Sequence, residues 1–283
     1  MNTPILRVEG LEISCTNKQG TEPLVHQLSF DIMGGQVFGL VGGSGSGKTL
    51  TCMSILNILG GTLAVTGGSI ELCGGQLLGK SPMEMRCIRG KEIAFAMQNP
   101  MSAFNPVMTI GAHFVETIRT HIPLSKREAI KYAVDYLNQV GLANGEMLLR
   151  KYPFQLSSGM LQRVMIAMAV CLKPRLLIAD EPTTALDTGC QLDILKLLDR
   201  MRNQYGMSIL LVSHDFGVIA QLADEVGVMC EGRLVERASV HHIFDSPEHE
   251  YTRALLGARR QLAGKGDIHH VEGGTRSDEY VRV

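Results

Sequence analysis

A mostly parallel α/β sheet with helices on both faces, interrupted by a helical stretch, is the fold that this 283-residue sequence predicts. Three observations carry it. Apolar runs of strand length alternate with helix-periodic runs on either side of residues 101–155, the pattern of parallel strands joined by crossover helices. A glycine-rich loop, Gly42-Gly43-Ser44-Gly45-Ser46-Gly47-Lys48-Thr49, separates one such strand from the next helix. A hydrophobic fraction of 45% against 19% charged residues is enough to fill a core of this size.

In chain order, Ile5 to Ser14 alternates as a strand through Leu6, Val8, Leu11 and Ile13, and Val25 to Ile32 reads as a second strand before Gly34-Gly35. Val37 to Val41 is an apolar strand and Leu50 to Leu59 a helix. Gly67 to Leu72 is a short strand, and a polar linker through Ser81-Pro82 leads to the strand Glu92 to Met97. From Met101 to about Gln155 the chain turns helical. Ser125 with Glu128 makes a capping box, and Ile130, Ala133, Val134, Leu137 and Val140 recur at helical spacing until Gly141. The α/β pattern resumes with a helix from Gly159 to Leu172, the strand Leu176 to Ala179, a helix carrying Leu192, Leu195, Leu198 and Met201, and the strand Ser208 to Ser213. Runs at Val226 to Met229 and Arg233 to Val235 read as strands, and Tyr251 to Arg259 as a short helix. The polar remainder has no periodic apolar face and is expected to be mobile.

A formal net charge of -1 gives no electrostatic footing for DNA or RNA. No apolar run reaches the length of a membrane span, and Met1-Asn2-Thr3-Pro4 lacks the basic and apolar regions of a leader, so the chain is expected to be made and kept in the cytosol. Seven cysteines (Cys15, Cys52, Cys73, Cys87, Cys171, Cys190, Cys230) stand singly with no C-x-x-C pair, and are expected to be reduced and mostly buried thiols.

The loop at 42–49 reads G-x-x-x-x-G-K-[ST], between strand and helix where a phosphate cradle must sit. Glycines let backbone N–H groups approach an anion, Lys48 reaches terminal phosphates, Thr49 offers a hydroxyl to Mg²⁺, and the helix N-terminus adds positive potential. The strand Leu176-Leu177-Ile178-Ala179 ends in Asp180-Glu181. Asp180 is placed to hold Mg²⁺, and Glu181 to orient or deprotonate an attacking water.

Leu156-Ser157-Ser158-Gly159-Met160-Leu161-Gln162-Arg163 resembles the signature motif of ATP-binding cassette (ABC) ATPases. Gln98 matches the Q-loop position, Thr184-Ala185-Leu186-Asp187 the D-loop and His214 the switch histidine, and the likeness covers roughly Leu6 to Arg253. It implies a phosphate-loop NTPase core with an antiparallel β subdomain and a helical subdomain. The ATPase domain would span 4–258, with the helical subdomain at about 99–165 and the polar tail at 259–283. It implies ATP and Mg²⁺ as cofactors, with Thr49, Gln98 and Asp180 toward the metal and Glu181, His214 and Gln98 in catalysis. It also implies head-to-tail pairing, so that Ser157, Ser158 and Gly159 of one subunit close on the nucleotide held by Gly42 to Thr49 of another. Their own chemistry agrees, since they open a helix whose free N–H groups suit an anion.

Two positions depart from the family pattern. Cys15 stands where an aromatic residue often stacks on adenine, and Ser158 where the first signature glycine usually sits. Met160 with Gln162-Arg163, the Gln98-Asn99-Pro100 to Phe104-Asn105-Pro106 stretch, and His249-Glu250-Tyr251-Thr252-Arg253 resemble the peptide/nickel importer branch. That branch implies a second, related ATPase as partner, two membrane permease subunits, a solute-binding protein, and a peripheral place on the cytoplasmic face of the inner membrane. Nickel ion or a nickel chelate is the expected cargo, with dipeptides or oligopeptides as the alternative. A second alternative, from another class, is a soluble ABC ATPase acting on nucleic acid or ribosomes, which would normally be expected to carry a long coiled-coil insertion or two cassettes in one chain. The fifteen methionines and the pairs His241-His242 and His269-His270 read as core filler and solvated side chains, not as nickel ligands.

Overall fold

The computed structural model describes residues 3–18, 20–184 and 186–263, the last five by backbone alone. Strands β1 (Leu6–Asn17) and β2 (Gly20–Ile32) form a long antiparallel hairpin, followed by β3 (Val37–Gly42) and α1 (Lys48–Ile55). Next come β4 (Leu63–Leu72), β5 (Gly75–Gln76), α2 (Pro82–Ile88) and β6 (Ile93–Ala96). A helical stretch follows: α3 (Ile110–His121), α4 (Lys126–Gln139), α5 (Gly145–Leu149) and α6 (Ser158–Val170). The chain then alternates through β7 (Leu176–Asp180), α7 (Thr188–Tyr205), β8 (Ser208–Ser213), α8 (Phe216–Leu222) and β9 (Glu225–Cys230). It closes with β10 (Arg233–Ser239), α9 (Val240–Asp245) and α10 (Glu250–Ala263).

Two sheets result. One is antiparallel with order β2-β1-β4-β5; the other has order β10-β9-β3-β8-β7-β6, parallel from β9 to β6 with β10 antiparallel at the edge. Every residue of β3, β7 and β8 is buried, which is why these strands are continuous apolar runs rather than alternating ones. Their side chains still alternate in direction. Val37, Val41, Leu177, Ala179, Ile209 and Leu211 join the core made with the helices. Phe38, Leu40, Leu176, Ile178, Leu210 and Val212 join the core made with the antiparallel sheet and α1. The C-terminal end of α4 is tied down where its carbonyls would otherwise be unpaired: Arg200 donates to Gln139 O at 2.6 Å and Arg163 to Val140 O at 2.9 Å.

Several expectations need correction. The linker around Ser81-Pro82 contains α2, because Ser81 and Glu84 form a full capping box with Pro82 in the first turn. Helix α1 starts at Lys48 rather than Leu50 and stops short of Leu59, where Asn57 turns left-handed at φ 50°. Helix α10 runs to Ala263, past the expected end at Arg259. On α4 the buried face is Ala129, Ala133, Tyr136, Leu137 and Val140, leaving Ile130 exposed, and on α7 the face centred on Leu198 leaves Leu192 exposed. The cysteines are free, but only Cys52 and Cys171 are buried. Cys73, Cys87 and Cys190 are exposed because they sit in a hairpin turn, on α2 and in the first turn of α7. Met85, Met165, Met201, Met207 and Met229 fill core space, whereas Met83, Met101 and Met147 are exposed. Ala185, the polar tail from 264 onward and the pair His269-His270 lie outside the described residues.

Candidate active site

The parallel strands end at one edge of the sheet, where the register aligns Val41 with Ser213, Asp180 with Val212, and Ala96 with Ala179. The loops leaving that edge therefore carry Gly42 to Lys48, Gln98, Glu181 and His214 side by side, the usual place for chemistry in an open α/β sheet.

Between β3 and α1 the chain needs its glycines. Gly45 and Gly47 are left-handed at φ 77° and 102°, and a Cβ on Gly42 would lie 2.2 Å from the Met229 carbonyl oxygen. Helix α1 starts with no side-chain cap, so its first-turn N–H groups are open to an anion. Lys48 is buried, and its ammonium donates to Gly42 O at 2.8 Å, Gly43 O at 2.9 Å and Ser46 Oγ at 3.4 Å. Burial lowers its pKa, while the nearby carboxylates of Glu181 and Asp180 oppose that shift.

Asp180 is buried at the end of β7, and among the described residues its Oδ1 has no hydrogen-bond partner. Burial raises its carboxyl pKa, and the neighbouring Thr49 hydroxyl pulls the other way. An orphaned buried carboxylate oxygen beside a hydroxyl is costly unless a cation completes it, and two hard oxygen donors on an open phosphate cradle fit Mg²⁺. Gln98 is exposed, two residues beyond β6 at the same sheet edge.

Glu181 has the left-handed φ of 52°, rare for a side chain of this size and a form of strain found at functional sites. The turn swings its carboxylate to the next loop. There His214 Nδ1 lies 2.7 Å from both oxygens, His214 N–H donates to Oε1 at 3.0 Å, and Thr184 Oγ1 donates to Oε2 at 2.8 Å. His214 itself is 60% exposed, while Glu181 is 11% exposed. A carboxylate held this way, with its neighbours at the rim, can accept a proton from a water positioned at the cradle.

Ser157 caps α6 by accepting from Met160 N at 3.3 Å. Ser158 is exposed in the first turn, and a Cβ on Gly159 would meet nothing within 4 Å. Asp187 of the Thr184–Asp187 run caps α7 by accepting from Cys190 N at 2.9 Å. Cys15 lies on β1 with its Sγ 3.2 Å from Thr62 Oγ1. His242 pairs with Glu248 at 3.3 Å, and among the described residues no cluster of three or more His, Cys, Asp or Glu is grouped to hold a metal.

Thr184 stands in the D-loop run and Tyr251 in the His249 to Arg253 stretch, but the sequence assigns neither side chain a contact at the site. Thr184 had a signal, three residues beyond Glu181 in the same turn. Tyr251 had none, since its hydroxyl accepts from Gly43 N at 3.1 Å across a separation of 208 residues.

A family profile described as "ABC transporter" matches residues 25–184. The metal-staphylopine import system ATP-binding protein CntD of Staphylococcus aureus is 38% identical over 271 residues, covering 94% of this chain and 99% of that protein. The glutathione import ATP-binding protein GsiA of Escherichia coli K12 is 41% identical over 269 residues, covering 91% of this chain, which spans 42% of the length of GsiA. Among solved structures, the dimeric cassette MJ0796 bound to ADP and Pi shares the fold at a TM-score of 0.74 and 23% identity, covering 83% of this chain and 98% of that one. For cbiO1 of Clostridium perfringens, part of the transporter complex cbiONQ, the TM-score is 0.72 at 26% identity, covering 93% of this chain and 98% of that one.

Proposed function

The chain belongs to the ABC transporter family, and from that membership we propose that it is the ATP-hydrolysing subunit of an importer for nickel ion or a nickel chelate, resembling nickel-import ATPases. The observation that carries the ATPase reading is the Glu181 carboxylate, fixed by His214 and Thr184 at the sheet edge that also holds Lys48 and Thr49. Lys48 and the open N–H groups of α1 bind the phosphates of ATP. Glu181 takes the proton of the attacking water as ATP and water become ADP and phosphate, and His214 keeps that carboxylate aimed. Thr49, Asp180 and Gln98 would hold Mg²⁺, which would supply charge neutralisation on the phosphates when bound. Ser157, Ser158 and Gly159 act on the nucleotide of a paired subunit.

The metal-chelate cargo is supported by the end-to-end match to CntD, whose name is that of a metal-staphylopine import ATPase. The 41% identity to GsiA favours a second reading, peptide-like cargo. Partners are a second related ATPase, two permease subunits and a solute-binding protein, with this subunit peripheral on the cytoplasmic face of the inner membrane. Among the described residues no helix is long and apolar enough to cross a membrane.

The test is reconstitution with those partners in lipid vesicles, with ATPase rate and uptake read against a nickel chelate, a dipeptide and glutathione. Stimulation by the nickel chelate supports the cargo. Stimulation by a peptide alone moves the assignment to the second reading, and absence of ATPase activity removes the subunit role. Recovery of two identical ATPase copies from the complex would refute the heterodimer.

A further inference from the structure

The Gly42–Gly43 peptide is held at both ends of its dipole. Its carbonyl oxygen accepts from Lys48 Nζ at 2.8 Å, and its N–H donates to Tyr251 Oη at 3.1 Å. The phenol reaches this point because position 43 is glycine: a Cβ there would lie 2.9 Å from the hydroxyl.

Tyr251 stands on a braced element. Glu236 of β10 accepts from the backbone N–H groups of Glu248 at 2.8 Å and His249 at 3.1 Å, just ahead of α10. His249 Nδ1 in turn accepts from Tyr251 N at 3.2 Å, and Arg253 donates to the carbonyls of Pro247 at 2.9 Å and Glu248 at 2.5 Å. The same end of the chain touches the loop twice more. Gly232, in the β9–β10 turn, donates to Ser46 O at 3.2 Å, and Met229 backs Gly42.

The two ends of the peptide differ in what happens when phosphate arrives. An ammonium has three donors, and Lys48 points its own at Gly42 O, Gly43 O and Ser46 Oγ. To reach a terminal phosphate it must give up part of that set. Two consecutive glycines then leave a peptide whose rotation costs little, and a flip would reverse a dipole at the rim of an anion site. We infer that Tyr251 is a positioning residue of the phosphate loop, whose hydroxyl keeps the Gly42–Gly43 peptide in place when Lys48 turns to the nucleotide. This rests on the reading of Gly42 to Thr49 as the ATP site.

The test uses the full-length chain with a fluorescent ATP analogue and Mg²⁺, displaced by ATP, for wild type, Tyr251→Phe and Lys48→Ala, together with hydrogen exchange at the Gly43 amide. Tyr251→Phe keeps the ring and removes one hydrogen bond. ATP affinity should fall about 3- to 10-fold, the worth of one neutral hydrogen bond. Exchange at Gly43 should quicken in the ATP-bound state, and the melting temperature should move by less than about 3 °C. Unchanged affinity overturns the inference. So does weaker affinity with unchanged Gly43 exchange, since the hydroxyl then acts elsewhere, and so does a lower melting temperature with affinity intact, the mark of a purely structural tyrosine. Lys48→Ala separates the two levels: if it too leaves ATP affinity untouched, the ATP-site reading fails, whereas an effect of Lys48→Ala alone refutes only the role of Tyr251.

Discussion

The phosphate loop and the start of α6 are both helix N-termini suited to an anion, yet they are finished in opposite ways. Around the first, one chain supplies nearly every neighbour: Lys48 folds back on the loop carbonyls, Asp180 and Thr49 lie close by, Gly232 and Tyr251 hold its backbone, and Glu181 waits at the end of β7, two strands along the sheet. Around the second, Ser157 spends its hydroxyl on the cap, while Ser158 is exposed and Gly159 has open space where a side chain would be. An anion site braced by buried Ser46, Lys48 and Asp180, with Ser44, Gly45 and Thr49 open to an incoming ligand, is completed by its own chain. An exposed, small-residue helix start leaves room for the paired subunit proposed above. The difference agrees with two half-sites pointing at different nucleotides.

The largest effect that can sharpen this comparison lies on the built side. Glu181→Gln keeps the shape of the side chain and removes the proton acceptor, so the assembled ATPase should lose about 10²- to 10⁴-fold in phosphate release while ATP binding persists. Near-normal turnover in a phosphate-release assay would take the carboxylate out of the mechanism. Lys48→Ala attacks binding instead. Loss of a charged partner to phosphate should weaken ATP about 10- to 100-fold in a titration of the chain alone.

On the open side the expectation divides by assay. Ser158→Glu places a carboxylate where a paired subunit's phosphates should come, so turnover of the assembled ATPase should fall by up to about 30-fold through lost helix-terminus stabilisation. ATP affinity of the chain alone should not change. A matched loss of affinity in the lone chain would mean that α6 faces its own phosphate loop, and the half-site comparison would collapse.

What the sequence revealed, and what it hid, follows the range of the interactions. The strands β3, β7 and β8 were legible because burial on both faces forces unbroken apolar runs, and Lys48, Asp180 and Glu181 were legible because a strand followed by a tight turn fixes them locally. The capping box at Ser125 and Glu128 formed as expected. The equivalent pair at Ser81 and Glu84 carried the same signal, obscured by the polar residues around it. Helix faces failed by one position at Ile130 and Leu192, because periodicity gives a stripe and only the neighbouring element decides which edge of it is covered. Tyr251 was illegible in principle, since no local pattern records a contact made across the whole domain.

The smallest effect is the most discriminating about how Glu181 is held. Its carboxylate receives one hydroxyl from the same turn, Thr184 at 2.8 Å, and a histidine from the neighbouring loop, His214 Nδ1 at 2.7 Å. Thr184→Val replaces the hydroxyl with a methyl group of similar volume. It removes one donor from the Glu181 carboxylate and leaves His214 to aim it. Turnover should therefore fall only about 3- to 10-fold, without a change in ATP affinity. His214→Ala removes the ring that reaches both oxygens, and should cost more, about 10- to 100-fold. If Thr184→Val proved the more damaging of the two in the same phosphate-release assay, the strained turn at φ 52° would be what fixes the carboxylate, with the neighbouring strand contributing little. The ordering of these two variants thus measures whether the site is assembled by its own loop or by the sheet edge that brings β7 and β8 together.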